Sequence, residues 1–289
     1  MNSELFGEGG WKQTARLGLL DFDVAIHSDL PGGVELLDEL YAPMRHTGRA
    51  EHSLIIGHAF RAGEPGFFTA VDGRVVVRTP APTVAFAHLV FAANQQAIDR
   101  SPNLVRLHAS GVASGAQVIA MPGAMGAGKS TLAAGLVVAG MRYVTDEVVA
   151  IDPASESVRP YGKPISLGVP PAELDQPAWD PSPDGRRLVG ASGLVPAAAL
   201  GAVVTEPLPL GAVVLPHYVA NAVTRIDPVA PVDALAAIAT HTFHLDHPGT
   251  LAALARLVSG VPCYRLVGGS LRDAVAAVED VVGTEVASR

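Results

Sequence analysis

The segment Gly123–Ser130, GAMGAGKS, limits this chain more than any other, because it matches G-x-x-x-x-G-K-[ST] directly after an apolar run, Gln117 to Met121, that reads as a buried strand. The residues that follow, Lys129 to about Ala139, are mostly small and apolar without a proline, so they read as a helix. Gly140 then suits the left-handed position that closes a helix, and Met141 suits its hydrophobic cap contact. Strand, glycine loop and helix are the setting that a phosphate-binding loop needs. Gly123, Gly126 and Gly128 free the backbone so that successive N–H groups can face one anion, and a side chain on Gly128 would obstruct it. The expected nucleotide contacts are therefore Gly123, Ala124, Met125, Gly126, Ala127, Gly128, Lys129, Ser130 and Thr131. Lys129 is expected to neutralise the β- and γ-phosphates and Ser130 to offer its hydroxyl to Mg²⁺, while the helix N-terminus adds its dipole.

Arg142 to Thr145 reads as the returning strand and ends at Asp146-Glu147, which completes a βαβ-like unit. Acids at the C-terminal end of such a strand lie where ligands collect in open α/β sheets, and connectivity brings them close to Lys129. Phosphoryl transfer needs one group to organise Mg²⁺ and another to accept or orient the acceptor's proton, tasks that two adjacent acids can divide. The competing reading is an ordinary solvated acidic pair. His108 closes an expected strand, Leu104 to His108, which a Ser114-Gly115 turn joins to the next one; by its position alone it reads as a structural histidine in preference to a functional one.

Composition narrows the class. The 289 residues are 49% hydrophobic and 17% charged, enough for one large or two small domains with a buried core. A net charge of -8 without a run of Lys or Arg argues against a surface that tracks nucleic-acid phosphates or an anionic bilayer, so neither nucleic acid nor membrane is an expected partner. The first thirty residues hold no basic segment followed by a sustained apolar stretch, so no signal peptide is expected. The single cysteine, Cys263, fits a reducing cytoplasm, and in the apolar run Val261 to Leu266 it reads as a small buried hydrophobe.

Residues 1–100 read as an α+β module suited to recognising a substrate or partner. Phe22, Val24 and Ile26 alternate with polar neighbours as in a half-buried strand, and Val34 to Tyr41 suits a short helix. Strands are expected over His52 to Phe60, Phe67 to Val71 and Arg74 to Arg78, with Asp72-Gly73 as a hairpin turn. Thr83 is the expected cap of a helix that carries Phe86, Leu89, Val90, Ala93 and Ala97 on one face. Residues 101–289 read as the domain built around the glycine loop. Within it Val148 to Asp152 and Ser157 to Tyr161 suit short strands, and the Pro-rich stretch Gly168 to Gly193 suits a mobile lid or docking loop. A further strand near Ala212 to Leu215 is expected, with helices over Asp233 to Phe243, Thr250 to Ser259 and Leu271 to Val282, the last capped by Ser270 with Asp273.

Taken together, LHASGV (Leu107 to Val112), GAMGAGKS and GMRYVTDE (Gly140 to Glu147) resemble, in order and spacing, the catalytic domain of the HPr kinase/phosphorylase family. The resemblance implies an α/β fold, a P-loop kinase core of HPr kinase and phosphoenolpyruvate carboxykinase type, here with an N-terminal α+β module. It implies ATP and Mg²⁺ as cosubstrate and metal, a protein or peptide bearing a serine as partner, catalytic roles for Lys129, Asp146 and Glu147 with support from His108, and Mg²⁺ held by Ser130, Asp146 and Glu147. The match departs from the family where Glu147 replaces an aspartate and where Lys163-Pro164 stands in place of a glutamate-isoleucine-arginine-glycine segment. The closer likeness is to the HPr-kinase-related branch, which includes kinases of lasso-peptide clusters.

Arg186 and Arg187 suit an acidic or phosphorylated substrate as well as plain solubility, and Lys163 stands near the expected active edge with the same two readings. HTFHLDH, His241 to His247, reads as a polar helix end in preference to a metal site. Alternative functions consistent with the same residues are a small-molecule kinase and a catalytically silent nucleotide-binding regulator, and a homo-oligomer is compatible with any of them.

Overall fold

The computed structural model describes residues 10–61, 64–168, 174, 179–190 and 193–286. The chain is mixed α/β and divides into two units, one of Met1–Ser101 with Ala178–Pro196, the other of Pro102–Pro177 with Ala197–Arg289. Among the described residues no helix is long and apolar enough to cross a membrane.

In the first unit β1 (Lys12–Gln13) and β2 (Arg16–Leu19) both pair with β3 (Phe22–Ser28). Helix α1 (Gly33–Leu40) and β4 (Arg45–His46) lead to β5 (His52–Arg61), which runs parallel to β3. The meander continues through β6 (Glu64–Val71) and β7 (Arg74–Thr79), giving a sheet in the order β4-β2-β3-β5-β6-β7 with β1 on β3. Helix α2 (Pro82–Asp99) follows and buries Phe86, Leu89, Ala93 and Ala97, the face that the apolar spacing requires. Its N-cap is Ala81 rather than Thr83. Pro82, with its preset φ and missing N–H, already suits the first helical position and starts the helix earlier.

In the second unit β8 (Val105–Ser114) is the central strand, and it changes partners half way. Val105 to His108 pair with β11 (Val148–Ile151), whereas Ala109 to Ser114 pair with β9 (Gln117–Pro122) and Gly111 to Ala113 also meet β10 (Arg142–Thr145). His108 therefore does not end its strand, as the sequence suggested, but stands where β8 exchanges neighbours. Between β9 and β10 lies α3 (Lys129–Val138), which closes as expected: Met141 N–H donates to Leu136 O and Gly140 N–H to Val137 O, with Gly140 at φ 109°. Both neighbours are antiparallel to β8, so β9 and β10 are parallel with β8 between them.

The chain continues through β12 (Ser157–Arg159) and β13 (Ile165–Ser166) and then enters the first unit. The expected lid is described only in part, since residues 169–173, 175–178 and 191–192 lie outside the described residues. Its described part forms α4 (Pro183–Val189) and β14 (Leu194–Val195), which belong to the first unit and not to the 101–289 block expected from the sequence. The cause is packing: α4 buries Gly185, Leu188 and Val189, and a Cβ on Gly185 would lie 3.5 Å from Leu36 Cδ1, one on Gly190 2.8 Å from Thr83 Cγ2.

Back in the second unit, β15 (Leu208–Tyr218) runs parallel to β9, and β16 (Arg225–Pro228) precedes α5 (Pro231–Ala239). Helix α5 stops well before Phe243, because Thr242 and Phe243 form β17 on Leu107 and Arg106 of β8. The hydroxyls of Thr240 and Thr242 accordingly donate to Ala237 O and Ile238 O at the helix end. Helix α6 (Thr250–Gly260), β18 (Cys263–Gly268) and α7 (Leu271–Val286) complete the chain, with β18 parallel to β15 and Ser270 Oγ accepting from Asp273 N–H. Leu107, Val118, Val149, Val213, Leu254 and Cys263 belong to one buried cluster beneath this sheet.

Candidate functional site

Three parallel strands of the second unit, β9, β15 and β18, end at one edge of the sheet. Their C-terminal ends deliver Gly123, Tyr218 and Gly268 to that edge, where strand ends and partner exchange leave a crevice. A cleft of about 660 Å³ occupies it, lined by Met125 to Thr131, by His108, Asp146 and Glu147, and by Ser166, Tyr218 and Ser270 among others.

The loop is built as its sequence requires. Gly126 and Gly128 adopt φ of 81° and 90°, conformations that side-chain-bearing residues resist. Gly123 needs no such angle; a Cβ there would press Ala127 Cβ at 3.3 Å. Lys129 is buried at 7% exposure, and its Nζ donates to Gly123 O at 2.8 Å and Ala124 O at 3.0 Å. These two residues hold the lysine without lining the cleft themselves. Burial lowers the Lys129 ammonium below its ordinary value, and Glu147 and Asp146 pull it back up.

The switch in β8 assembles the remainder. His108 N–H donates to His241 O, His108 O accepts from Gly123 N–H, and Ala109 N–H donates to Glu147 O. The backbone of His108 and Ala109 thus ties the loop, Glu147 and the segment after α5 together. The two acids then part company. Asp146 is 5% exposed; Ser110 Oγ donates to its Oδ1 at 3.2 Å, Ser166 N–H donates to its Oδ2 at 3.1 Å, and Lys163 Nζ stands 3.7 Å from Oδ2. Glu147 has a side chain 38% exposed, with Oε1 3.6 Å from His108 Nε2. Burial, reinforced by Lys129, lowers the His108 pKa below its ordinary value, with Glu147 opposing, so the imidazole is neutral near pH 7. His241 is lowered in the same way by burial and by Lys129.

Of the residues singled out by sequence, His108, Lys129, Asp146, Glu147, Ser130 and the loop from Met125 to Thr131 converge on one cleft. Lys163 does not line it: the side chain is buried behind Asp146, with Nζ donating to Pro164 O at 2.8 Å. Arg186 and Arg187 lie on α4 of the first unit, where Arg186 pairs with Asp180, and neither lines the cleft. Among the described residues no group of three or more His, Cys, Asp or Glu is arranged to hold a metal ion, and His241 to His247 run along a strand and a turn rather than one helix face. Sequence reasoning passed over Ser110, Ser166 and Tyr218 in this site. Ser110 stands inside LHASGV, a legible signal, whereas Ser166 contributes its backbone N–H and Tyr218 reaches the loop through a bond to Ala127 O, neither of which leaves a residue pattern.

No protein-family model matches the chain, and no curated protein matches it significantly.

Proposed function

We propose that the chain is an ATP- and Mg²⁺-dependent kinase that transfers the γ-phosphate to a serine hydroxyl of a protein or peptide, on a P-loop kinase core of HPr kinase type. The observation that carries this reading is the meeting, in one cleft, of the Gly123–Ser130 loop at a helix N-terminus with Asp146, Glu147 and His108. The loop's backbone N–H groups and Lys129 bind and orient the phosphates, and the short reach of Lys129 to its own loop carbonyls keeps the ammonium poised there.

The acids divide the work by their surroundings. Asp146 is ordered on Ser110, Ser166 and Lys163, with Oδ1 retaining a free acceptor position. Glu147 is open to the cleft beside a neutral His108 and is the group that takes the serine proton, with His108 orienting it. In the transfer the bond between the γ-phosphorus and the β–γ bridging oxygen breaks, the serine Oγ–phosphorus bond forms, ADP leaves with the bridging oxygen, and the hydroxyl proton goes to Glu147. The hard oxygens of Ser130 and Asp146 fit Mg²⁺, which when bound with nucleotide supplies charge neutralisation across the phosphates.

The test is transfer from γ-labelled ATP with Mg²⁺ to pooled polypeptides of the organism that carries the gene. Wild type labels a polypeptide on serine and Lys129→Ala does not, with a loss of at least about 100-fold. Label that appears only on small alcohols moves the acceptor to a metabolite, and saturable binding without any transfer removes the kinase reading.

A further inference from the structure

The geometry points to a role for Lys163 that its sequence position does not suggest: we propose that it is a positioning residue that acts through Asp146, holding that carboxylate in the one orientation from which it can serve a magnesium-bound nucleotide. This inference rests on the kinase reading above. Lys163 is 2% exposed and does not line the cleft, so it is not placed to touch substrate. Its ammonium faces Asp146 Oδ2 at 3.7 Å and donates to Pro164 O at 2.8 Å. Ser166 N–H donates to that same Oδ2 at 3.1 Å, so Oδ2 is held by one hydrogen bond and by the charge of the buried ammonium. Oδ1 accepts from Ser110 Oγ at 3.2 Å and keeps an acceptor position for a metal, on a residue that lines the cleft.

The lysine is itself delivered by a strap of chain anchored on β10. Tyr161 N–H donates to Val144 O, Lys163 N–H to Tyr161 O, and the buried Tyr143 hydroxyl to Lys163 O at 3.1 Å. These bonds use backbone groups of residues 161–163 and do not depend on the lysine side chain, so the strap survives its replacement. A buried ammonium is retained in such a setting only if its charge is matched, and among the described residues Asp146 is the acid within ion-pair distance. With that match the Asp146–Lys163 pair is close to neutral, and Glu147 brings its negative charge to the cleft, where Lys129 feels it. The pair thus separates two carboxylates adjacent in sequence into one that is held and one that exchanges a proton.

The experiment measures binding of a fluorescent N-methylanthraniloyl ADP by the full chain, in chelator and in excess Mg²⁺, for wild type, Lys163→Met, Asp146→Asn and the double variant. In chelator Lys163→Met binds within a few-fold of wild type, because the loop and Lys129 are intact, and each variant's own affinity in chelator is the reference for its Mg²⁺-dependent gain. The affinity gained on adding Mg²⁺ falls in Lys163→Met by about 10- to 100-fold, the usual effect of removing a group that orients a metal-binding carboxylate. It falls no further in the double variant than in Asp146→Asn, since a residue acting through Asp146 has nothing to act on once that carboxylate is gone. Thermal unfolding without ligand checks the fold: each single variant is less stable than wild type, and the double regains part of the loss because no lone buried charge remains. A Mg²⁺-dependent gain untouched by Lys163→Met overturns the role given to Lys163 while leaving the kinase reading in place. A further loss in the double variant beyond Asp146→Asn also overturns it. Failure of wild type to bind the nucleotide at all overturns the kinase reading, and the role of Lys163 with it.

Discussion

Gly135 on α3 sets two opposing effects against each other, and the structure determines which wins. A Cβ added there would lie 2.9 Å from both Leu271 Cδ1 and Val275 Cγ2 on the first turns of α7. Gly→Ala in a helix interior ordinarily stabilises by about 1 kcal/mol through the unfolded chain. Overpacking of a filled contact costs about 1–3 kcal/mol. Leu271 can swing its terminal methyl away, but Val275 is branched at Cβ and held to one rotamer in a helix, so its methyl moves only if α7 moves. The overpacking term therefore dominates, and Gly135→Ala is expected to destabilise the second unit by about 1 kcal/mol net. Because Ser270, Leu271 and Ala274 line the cleft, displacing α7 also weakens nucleotide binding. Urea unfolding followed by far-ultraviolet ellipticity reads the stability. Both tryptophans, Trp11 and Trp179, belong to the first unit, so their fluorescence follows that unit separately. A variant that is more stable than wild type by about 0.5–1 kcal/mol, with nucleotide affinity unchanged, would show that propensity alone governs this position and that α7 does not press on α3.

Further outcomes follow from the same geometry. Glu147→Gln is expected to lower turnover by about 100-fold or more while nucleotide affinity holds, whereas Asp146→Asn should lose Mg²⁺-dependent affinity; steady-state kinetics and titration calorimetry separate the two, and equal losses of both quantities in both variants refute the division of roles. Gly128→Ala places a side chain at φ 90° with its Cβ 3.4 Å from Tyr218 Cβ, costing about 1–2 kcal/mol and abolishing nucleotide binding; a variant that binds normally contradicts the loop assignment. Burial lowers the pKa of His27, His108 and His241 from 6.5, so below that value the unfolded chain binds more protons than the folded one. Stability from these groups is accordingly complete above about pH 6.5 and declines as pH falls towards their folded values; a thermal midpoint that rises between about pH 6.5 and about pH 5 refutes the burial of these rings.

Local chemistry accounts for what the sequence alone determined. The glycine loop needs Gly126 and Gly128 because only glycine rests easily at their φ, and α3 ends at Gly140 for the same reason, so both could be read off residue types. Period-2 alternation in β3 and the spacing of apolar residues in α2 fixed which faces are buried. Tertiary structure decided the rest, through contacts between residues remote in the chain. That His108 stands at a change of partners within β8 depends on Gln117–Pro122 and Val148–Ile151 claiming different halves of one strand, a choice no local pattern records. α5 gives way to β17 because Thr242 and Phe243 find an edge on β8. α4 joins the first unit because it packs on residues of that unit, with Gly185 close to Leu36 and Gly190 close to Thr83. The parting of Asp146 from Glu147 is of the same kind. Adjacent acids are alike in sequence, and they become different only when Ser110, Ser166 and Lys163, brought from separate strands and a strap, surround one and leave the other beside a histidine at the cleft.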